Sequence, residues 1–261
     1  MSPDLPSGVF TVPKNSHFLT PILFVAAAAF ATAPGQAQDA DFTTAQEGRV
    51  KDLVREYILE NPEIIAEAIT LLQARQETQR QERQQQTLAS LKDRLANPPE
   101  GTVIGNPDGS VTVVEFFDYN CGYCKSMFST VLNTISENDD IRLALIEFPI
   151  LGPTSITASK AALASREQGL YGPFHQALMN HRGSLNESTI MSLARGVGLN
   201  VTKLQEDMKD PEIEKIIEQN REIAQQLEIS GTQAFVIGSS LVPGAVSEEQ
   251  FKQLIAEATP G

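Results

Sequence analysis

Cys121 and Cys124 are the two cysteines of this 261-residue chain, and only Gly122 and Tyr123 stand between them. A dithiol at this spacing can give up two electrons as a disulfide and regain them, one sulfur attacking a partner and the other releasing it. The surrounding residues suit that chemistry. VTVVEFF from Val111 reads as a buried strand, Asp118, Tyr119 and Asn120 break it, and the cysteines should then open a helix running past Met127. A thiol at a helix start meets unpaired N–H groups and the positive end of the macrodipole, which favours the thiolate. Cys121 is therefore the expected nucleophile, exposed at the helix start. Cys124, one turn on and covered by the following turn, is the expected resolving thiol. A structural disulfide is the weaker reading, because C-x-x-C beside a strand-helix pattern is a redox signature. Structural zinc wants four Cys or His ligands, and the pair is joined only by His17, His175 and His181. His175 and His181 stand six apart, miss the i, i+4 spacing of a helical metal pair, and read as packing or surface residues. Met127 with two thiolates would suit copper(I), but a core-facing methionine is the commoner explanation.

The elements that must hold this dithiol follow from periodicity and punctuation. Ile141 to Phe148 reads as a second buried strand ending at Pro149, so strand, dithiol helix and strand make a βαβ unit. From Thr154 to Ile229 the pattern predicts about five helical segments, punctuated at Gly169, Gly172-Pro173, Gly183, Gly198 and Asp210-Pro211. Ala234 to Ile237 and Leu241-Val242 are short strands, and Ser247 caps a last helix towards Ala258.

Ahead of the dithiol, Gln46 to Leu72 predicts two short helices with broad apolar faces, Asn61 capping the second and Pro62 at its first position. Two such helices hold too little chain to cover Val50, Leu53, Val54, Tyr57 and Ile58, or Ile64, Ile65, Ala68, Ile69, Leu71 and Leu72. They fold back on the dithiol domain or self-associate. The tract between Leu72 and Leu88 has Ala74 as its one apolar residue and reads as a solvated helical spacer of some 20 Å, or as a disordered Gln-rich tract. Leu88, Leu91 and Leu95 form a second apolar set before a boundary at Asn97-Pro98-Pro99.

Residues 1–37 read as a signal peptide: Phe18 to Ala33 is apolar but short of the ~20 residues of a spanning helix, and Gly35-Gln36-Ala37 offers a cleavage site. The leader is weak in cations, with Lys14 beside Asp4, and Pro21 interrupts it, which leaves an uncleaved anchor as the alternative. Export would place the dithiol where disulfides form and persist. The parts are then 1–37 leader, 38–96 helical extension and linker, and 97–261 dithiol domain. Of the net charge of −13, residues 97–261 carry −10, from 11 Lys and Arg against 21 Asp and Glu. So acidic a domain repels phosphate backbones and anionic membrane surfaces, which argues against nucleic acid as a partner.

With these residues in view, Val111 to Ala258 resembles the DsbA-type periplasmic thiol-disulfide oxidoreductases, an α/β thioredoxin fold (βαβ, helical insertion, ββα). The resemblance rests on EFFDYNCGYC, KAALASREQGLYGPFHQALM and GTQAFVIG. The segment REYILENPEIIAEAITLLQ is similar to the N-terminal oligomerisation extension of the suppressor-of-copper-sensitivity C branch. What the resemblance implies is a redox-active disulfide between Cys121 and Cys124 with no further cofactor and no metal, substrate proteins carrying thiols or disulfides, a membrane redox partner and a homo-oligomer. It gives Gly122-Tyr123 the role of tuning dipeptide and makes Glu115 the buried carboxylate that takes the proton of the resolving thiol. Tyr123 stands where the strongest oxidants carry His, and Gly-Tyr is the pair of dimeric isomerases, so isomerase or reductase is expected; a monomeric oxidase and a copper-binding module are the alternatives. The resemblance also makes Thr232-Gln233 part of the substrate-binding loop, but here the chain departs from the family, whose loop facing the thiols reads Thr-Pro with a cis bond. A cis bond before a non-proline residue costs ~2.5–4 kcal/mol, so a trans bond and a shifted loop are expected here.

Overall fold

A computed structural model describes residues 42–259, and the leader expected over residues 1–37 lies outside them. The described residues divide into two units, residues 42–62 and 63–259.

In the first unit, helix α1 (Thr44–Glu60) begins at a capping box: Thr43 Oγ1 accepts the Gln46 N–H, and the Gln46 side-chain oxygen accepts the Thr43 N–H. Its predicted stripe is present and open, with Val50, Leu53, Val54 and Tyr57 all exposed. Asn61 departs from expectation. It closes α1 rather than capping the next helix, because its side-chain amide and its backbone N–H both turn back to the Tyr57 carbonyl, left free at the end of α1.

The second unit opens with α2 (Glu63–Ala96), a single helix through the whole Gln-rich tract. The spacer is thus helical, as straight-chain Gln, Glu and Arg favour. Ile65, Ile69, Leu71 and Leu72 near its start are exposed, whereas Leu88, Leu91 and Leu95 are buried against the sheet. The last turns of α2 therefore belong to the core that the expected boundary at Asn97 leaves behind.

That sheet contains β1 (Val103–Gly105), β2 (Val111–Phe117), β3 (Ile141–Glu147), β4 (Ala234–Ile237) and β5 (Ser240–Pro243) in the order β1-β3-β2-β4-β5. Only β2 and β3 run parallel, joined by α3 (Gly122–Ser136) in the predicted βαβ unit. Strand β1 pairs antiparallel with β3 and was not anticipated; three residues are too few to show alternation. The insertion comprises α4 (Pro153–Ala164), a 3₁₀ turn (Ser165–Gln168), α5 (Tyr171–Asn180), α6 (Glu187–Gly196), α7 (Val201–Asp207) and α8 (Pro211–Gln226). Five α-helices match the count read from the breakers, except that Gly172-Pro173 sits in the first turn of α5, where a missing N–H costs nothing. Helix α9 (Glu248–Ala258) starts at a Ser247 capping box. Among the described residues no helix is long and apolar enough to cross a membrane.

Alternation sorts the central strands onto two faces. Val114 and Phe116 of β2, with Ala144 and Ile146 of β3, pack with the α2 leucines. Val111, Val113 and Phe117, with Ile141, Leu143 and Leu145, pack under α3 and the insertion. Odd numbering puts Glu115 and Glu147 on this second face, two carboxylates turned into the core that carries the dithiol.

Candidate active site

The site begins where β2 ends. Cys121 is the N-cap of α3, with φ −76° and ψ 119°, and its sulfur accepts the Cys124 N–H at 3.3 Å. A sulfur in the place of a capping oxygen serves one of the helix's orphan donors, and in return the helix end stabilises negative charge on it. Its pKa is lowered from 9.0 to about 6: the Cys124 thiol is the largest cause, and the Thr232 hydroxyl and the backbone N–H groups of Cys124 and Tyr123 add to it against the cost of burial. Cys124 is pushed far the other way, by its hydrogen bond to Cys121, by burial and by the charges of Cys121 and Glu115. Both are free thiols. Cys121 is 4% exposed and Cys124 0%, so the expectation of an exposed Cys121 is corrected: its side chain is covered. Tyr123, 71% exposed, is the open residue of the motif, and no Cβ atom would meet an obstacle at Gly122.

Glu115 is 2% exposed, on the strand behind the dithiol, with apolar Leu145 and Phe235 beside it on β3 and β4. Burial raises its pKa to about 7, opposed by a hydrogen bond from Gln233 Nε2 to Glu115 Oε1 at 3.3 Å and helped by the charge of Cys121. Thr232-Gln233 thus touches both halves of the site, the hydroxyl on Cys121 and the amide on Glu115. Gln233 adopts φ +66°, a left-handed conformation held by the Gly244 N–H on its carbonyl (2.7 Å) and costing on the order of 1 kcal/mol for a residue with a Cβ. Proline, locked near φ −65°, does not fit this backbone. The departure at this position is therefore one of conformation as well as side chain.

Three further groups surround the site, of which Asp118 and Glu147 were given no role from sequence. Asp118, 0% exposed, accepts the N–H of Asn120 on one oxygen and those of Ile150 and Leu151 on the other, tying the turn before the dithiol to the loop after β3. Glu147, 1% exposed, accepts hydroxyls from Tyr119 (2.9 Å), Tyr171 (3.0 Å) and Ser159 (2.6 Å), yet burial still lifts its pKa to about 8. His175, expected to be packing or surface, is packing: burial lowers its pKa to about 3, Nδ1 lies 3.0 Å from the Tyr119 hydroxyl, and its ring stacks on Tyr171. Met127 is buried in the core as expected. Among the described residues no three His, Cys, Asp or Glu side chains gather as a metal site.

Comparison with known proteins agrees with this geometry. Residues 112–256 match the DSBA-like thioredoxin domain family, and residues 46–79 the copper resistance protein ScsC N-terminal domain. A thioredoxin-like oxidoreductase from Silicibacter pomeroyi DSS-3 is 45% identical over 64% of this chain and 96% of its own, with TM-score 0.62. The compact conformation of Proteus mirabilis ScsC is 32% identical over 80% of this chain and 96% of its own, with TM-score 0.60. The Na(+)/H(+) antiporter NhaA 1 of Salinispora arenicola is 25% identical over 63% of this chain, which spans only 26% of the antiporter's length. The dithiol at the head of α3, the mixed sheet and the helical insertion agree with the family match: the chain belongs to the DsbA-like thioredoxin family of thiol-disulfide oxidoreductases and carries an ScsC-type N-terminal segment.

Proposed function

We propose that the protein is exported and reduces or reshuffles disulfides in substrate proteins, Cys121 attacking, Cys124 resolving and Glu115 handling the proton. The observation that carries this is the split between the two thiols, one stabilised as thiolate at the start of α3 and the other held protonated beneath it. Cys121 thiolate attacks a substrate disulfide; a mixed disulfide forms and one substrate sulfur leaves as thiolate. Cys124 then gives its proton to Glu115 and attacks Cys121 Sγ, closing the Cys121–Cys124 disulfide and releasing the second substrate thiolate, so that the substrate gains the two electrons the dithiol loses. If the substrate's own freed thiolate attacks first, its disulfide is reshuffled and the dithiol returns reduced.

Direction is argued from how strongly the thiolate is held. A thiol near 6 is less stabilised than that of the strongest oxidases, about 3.5, and closer to thioredoxin at about 7. The reduced form is then the less favoured and the disulfide the weaker oxidant. Tyr123 reaches Cys121 through its backbone N–H, while its exposed side chain stands where the oxidases carry His. A homo-oligomer held through the exposed faces of residues 46–72 would set several dithiols around one substrate and raise their effective concentration, which suits reshuffling. A membrane redox partner would return the disulfide form to the dithiol.

The test is a Cys124→Ser protein mixed with a scrambled disulfide substrate. Stable mixed disulfides mapping to Cys121 are expected, together with recovery of native substrate by the unmodified protein. Adducts at no cysteine, or no recovery, would refute the assignment. The match to the copper resistance protein ScsC N-terminal domain gives the copper-binding alternative its one support; metal-free protein after anaerobic purification would dismiss it.

A further inference from the structure

We propose that Gln233 is a positioning residue for the proton step: its amide steadies the Glu115 carboxylate before that group takes the Cys124 proton, then turns over to accept a hydrogen bond from the carboxylic acid. The inference deepens the reading that Cys124 resolves with Glu115 as its base.

Three observations carry it. Gln233 is 1% exposed, and its Nε2 donates to Glu115 Oε1, a contact spanning 118 residues of sequence. Its Oε1 is the one buried side-chain oxygen or nitrogen without a partner among the described residues. Its backbone sits at φ +66°, fixed through the Gly244 N–H. A side chain placed at such a backbone and left half satisfied is suited to a neighbour whose needs change. A carboxylate only accepts, so it takes Nε2; a carboxylic acid has an O–H to give, and Oε1, brought round by a half-turn of the terminal amide, is free to accept it. Apolar Leu145 and Phe235 flank Glu115 on β3 and β4, and the charge acting on it is that of Cys121 at the head of α3. In the step itself the Cys124 S–H proton passes to Glu115, the new thiolate forms the Cys121–Cys124 bond, and the Cys121–substrate bond breaks with its electron pair on the departing sulfur.

Gln233→Leu keeps bulk and removes both hydrogen-bonding ends. Decay of a mixed disulfide with a model peptide, followed against pH, should rise in the unmodified protein with a midpoint where Glu115 ionises, at or below about 7 because Cys121 carries no charge in the mixed disulfide. In the variant the midpoint should move up by about one unit, a roughly tenfold slower release on the acid side, with the alkaline plateau kept. An unshifted profile, or an equal loss at every pH, would overturn the proposal. A second measurement needs neither turnover nor a variant of Gln233: in the disulfide form of the otherwise unmodified protein, with glutamine labelled by ¹⁵N, the Gln233 side-chain resonance should titrate with Glu115, at or below about 7 because the Cys121 charge is then absent, and cease to do so in Glu115→Gln. A resonance unmoved between pH 5 and 9 would also overturn it. Absence of any mixed disulfide would instead count against the dithiol reading, while the resonance still reports on Gln233.

Discussion

Cys121 owes its acidity to four donors, and of these the Thr232 hydroxyl is the one that can be removed without touching the motif. Thiolate absorbance against pH should show a midpoint near 6 in the native protein, and Thr232→Val should raise it by about half to one unit. An unmoved midpoint would mean that the hydroxyl does not serve the sulfur. The two core carboxylates have a consequence for stability. Glu115 and Glu147 titrate at about 7 and about 8 in the folded chain against 4.5 as ordinary carboxyls, so each favours the folded state fully below pH 4.5 and loses that contribution as pH rises through 7 to 8. His175 and Cys121, both held below their ordinary values, act in the opposite sense, so the test is the difference: in urea denaturation between pH 5 and 8 the native protein should lose more, or gain less, stability with rising pH than Glu115→Gln or Glu147→Gln, and parallel slopes in all three would contradict the burial argument. At this scale the dithiol was legible because its chemistry is local: two cysteines, a broken strand, a helix start. Glu115 was reached through family resemblance, and alternation in β2 agrees with its inward turn. Asp118, Glu147, Tyr119 and His175 were not legible as a group, since Tyr119 meets Glu147 and His175 across 28 and 56 residues.

Between elements, the dithiol turn and the loop after β3 are fastened by one side chain. Asp118→Ala strips acceptors from three backbone N–H groups, two of them in a different loop, and should cost about 3 kcal/mol in urea denaturation. A loss under 0.5 kcal/mol would mean that the loops hold themselves. On the other face of the sheet, Leu91→Ala at the end of α2 should cost about 3 kcal/mol, as expected of a leucine packed against Val114 and Ile146. The helices were readable from caps and breakers, since Ser247, Asp210-Pro211 and Gly198 act within a turn of where they stand. Strand β1 was not, because its strand character comes from its partner β3 rather than from its own three residues. The conformation of Gln233 was equally hidden: φ +66° is imposed by the fold around it and has no signature in the letters Thr-Gln.

For the whole molecule, the open question is what covers the apolar side chains that α1 and the first turns of α2 expose. Leu53 on α1 is 51% exposed and Ile69 on α2 50%, and under the proposed self-association each would be covered by another copy. Light scattering should give the mature protein a mass of several chains, and Leu53→Asp with Ile69→Asp should bring it down to one; equal masses would remove the oligomer and weaken the isomerase reading. The central claim, that this dithiol reduces or reshuffles rather than oxidises, is tested most directly by the reduction potential of the Cys121–Cys124 couple in equilibrium with glutathione. The account predicts a value near −200 mV or below, as befits a thiolate held less tightly than in the strong oxidases; a value near about −120 mV would contradict it and mark the protein as an oxidase.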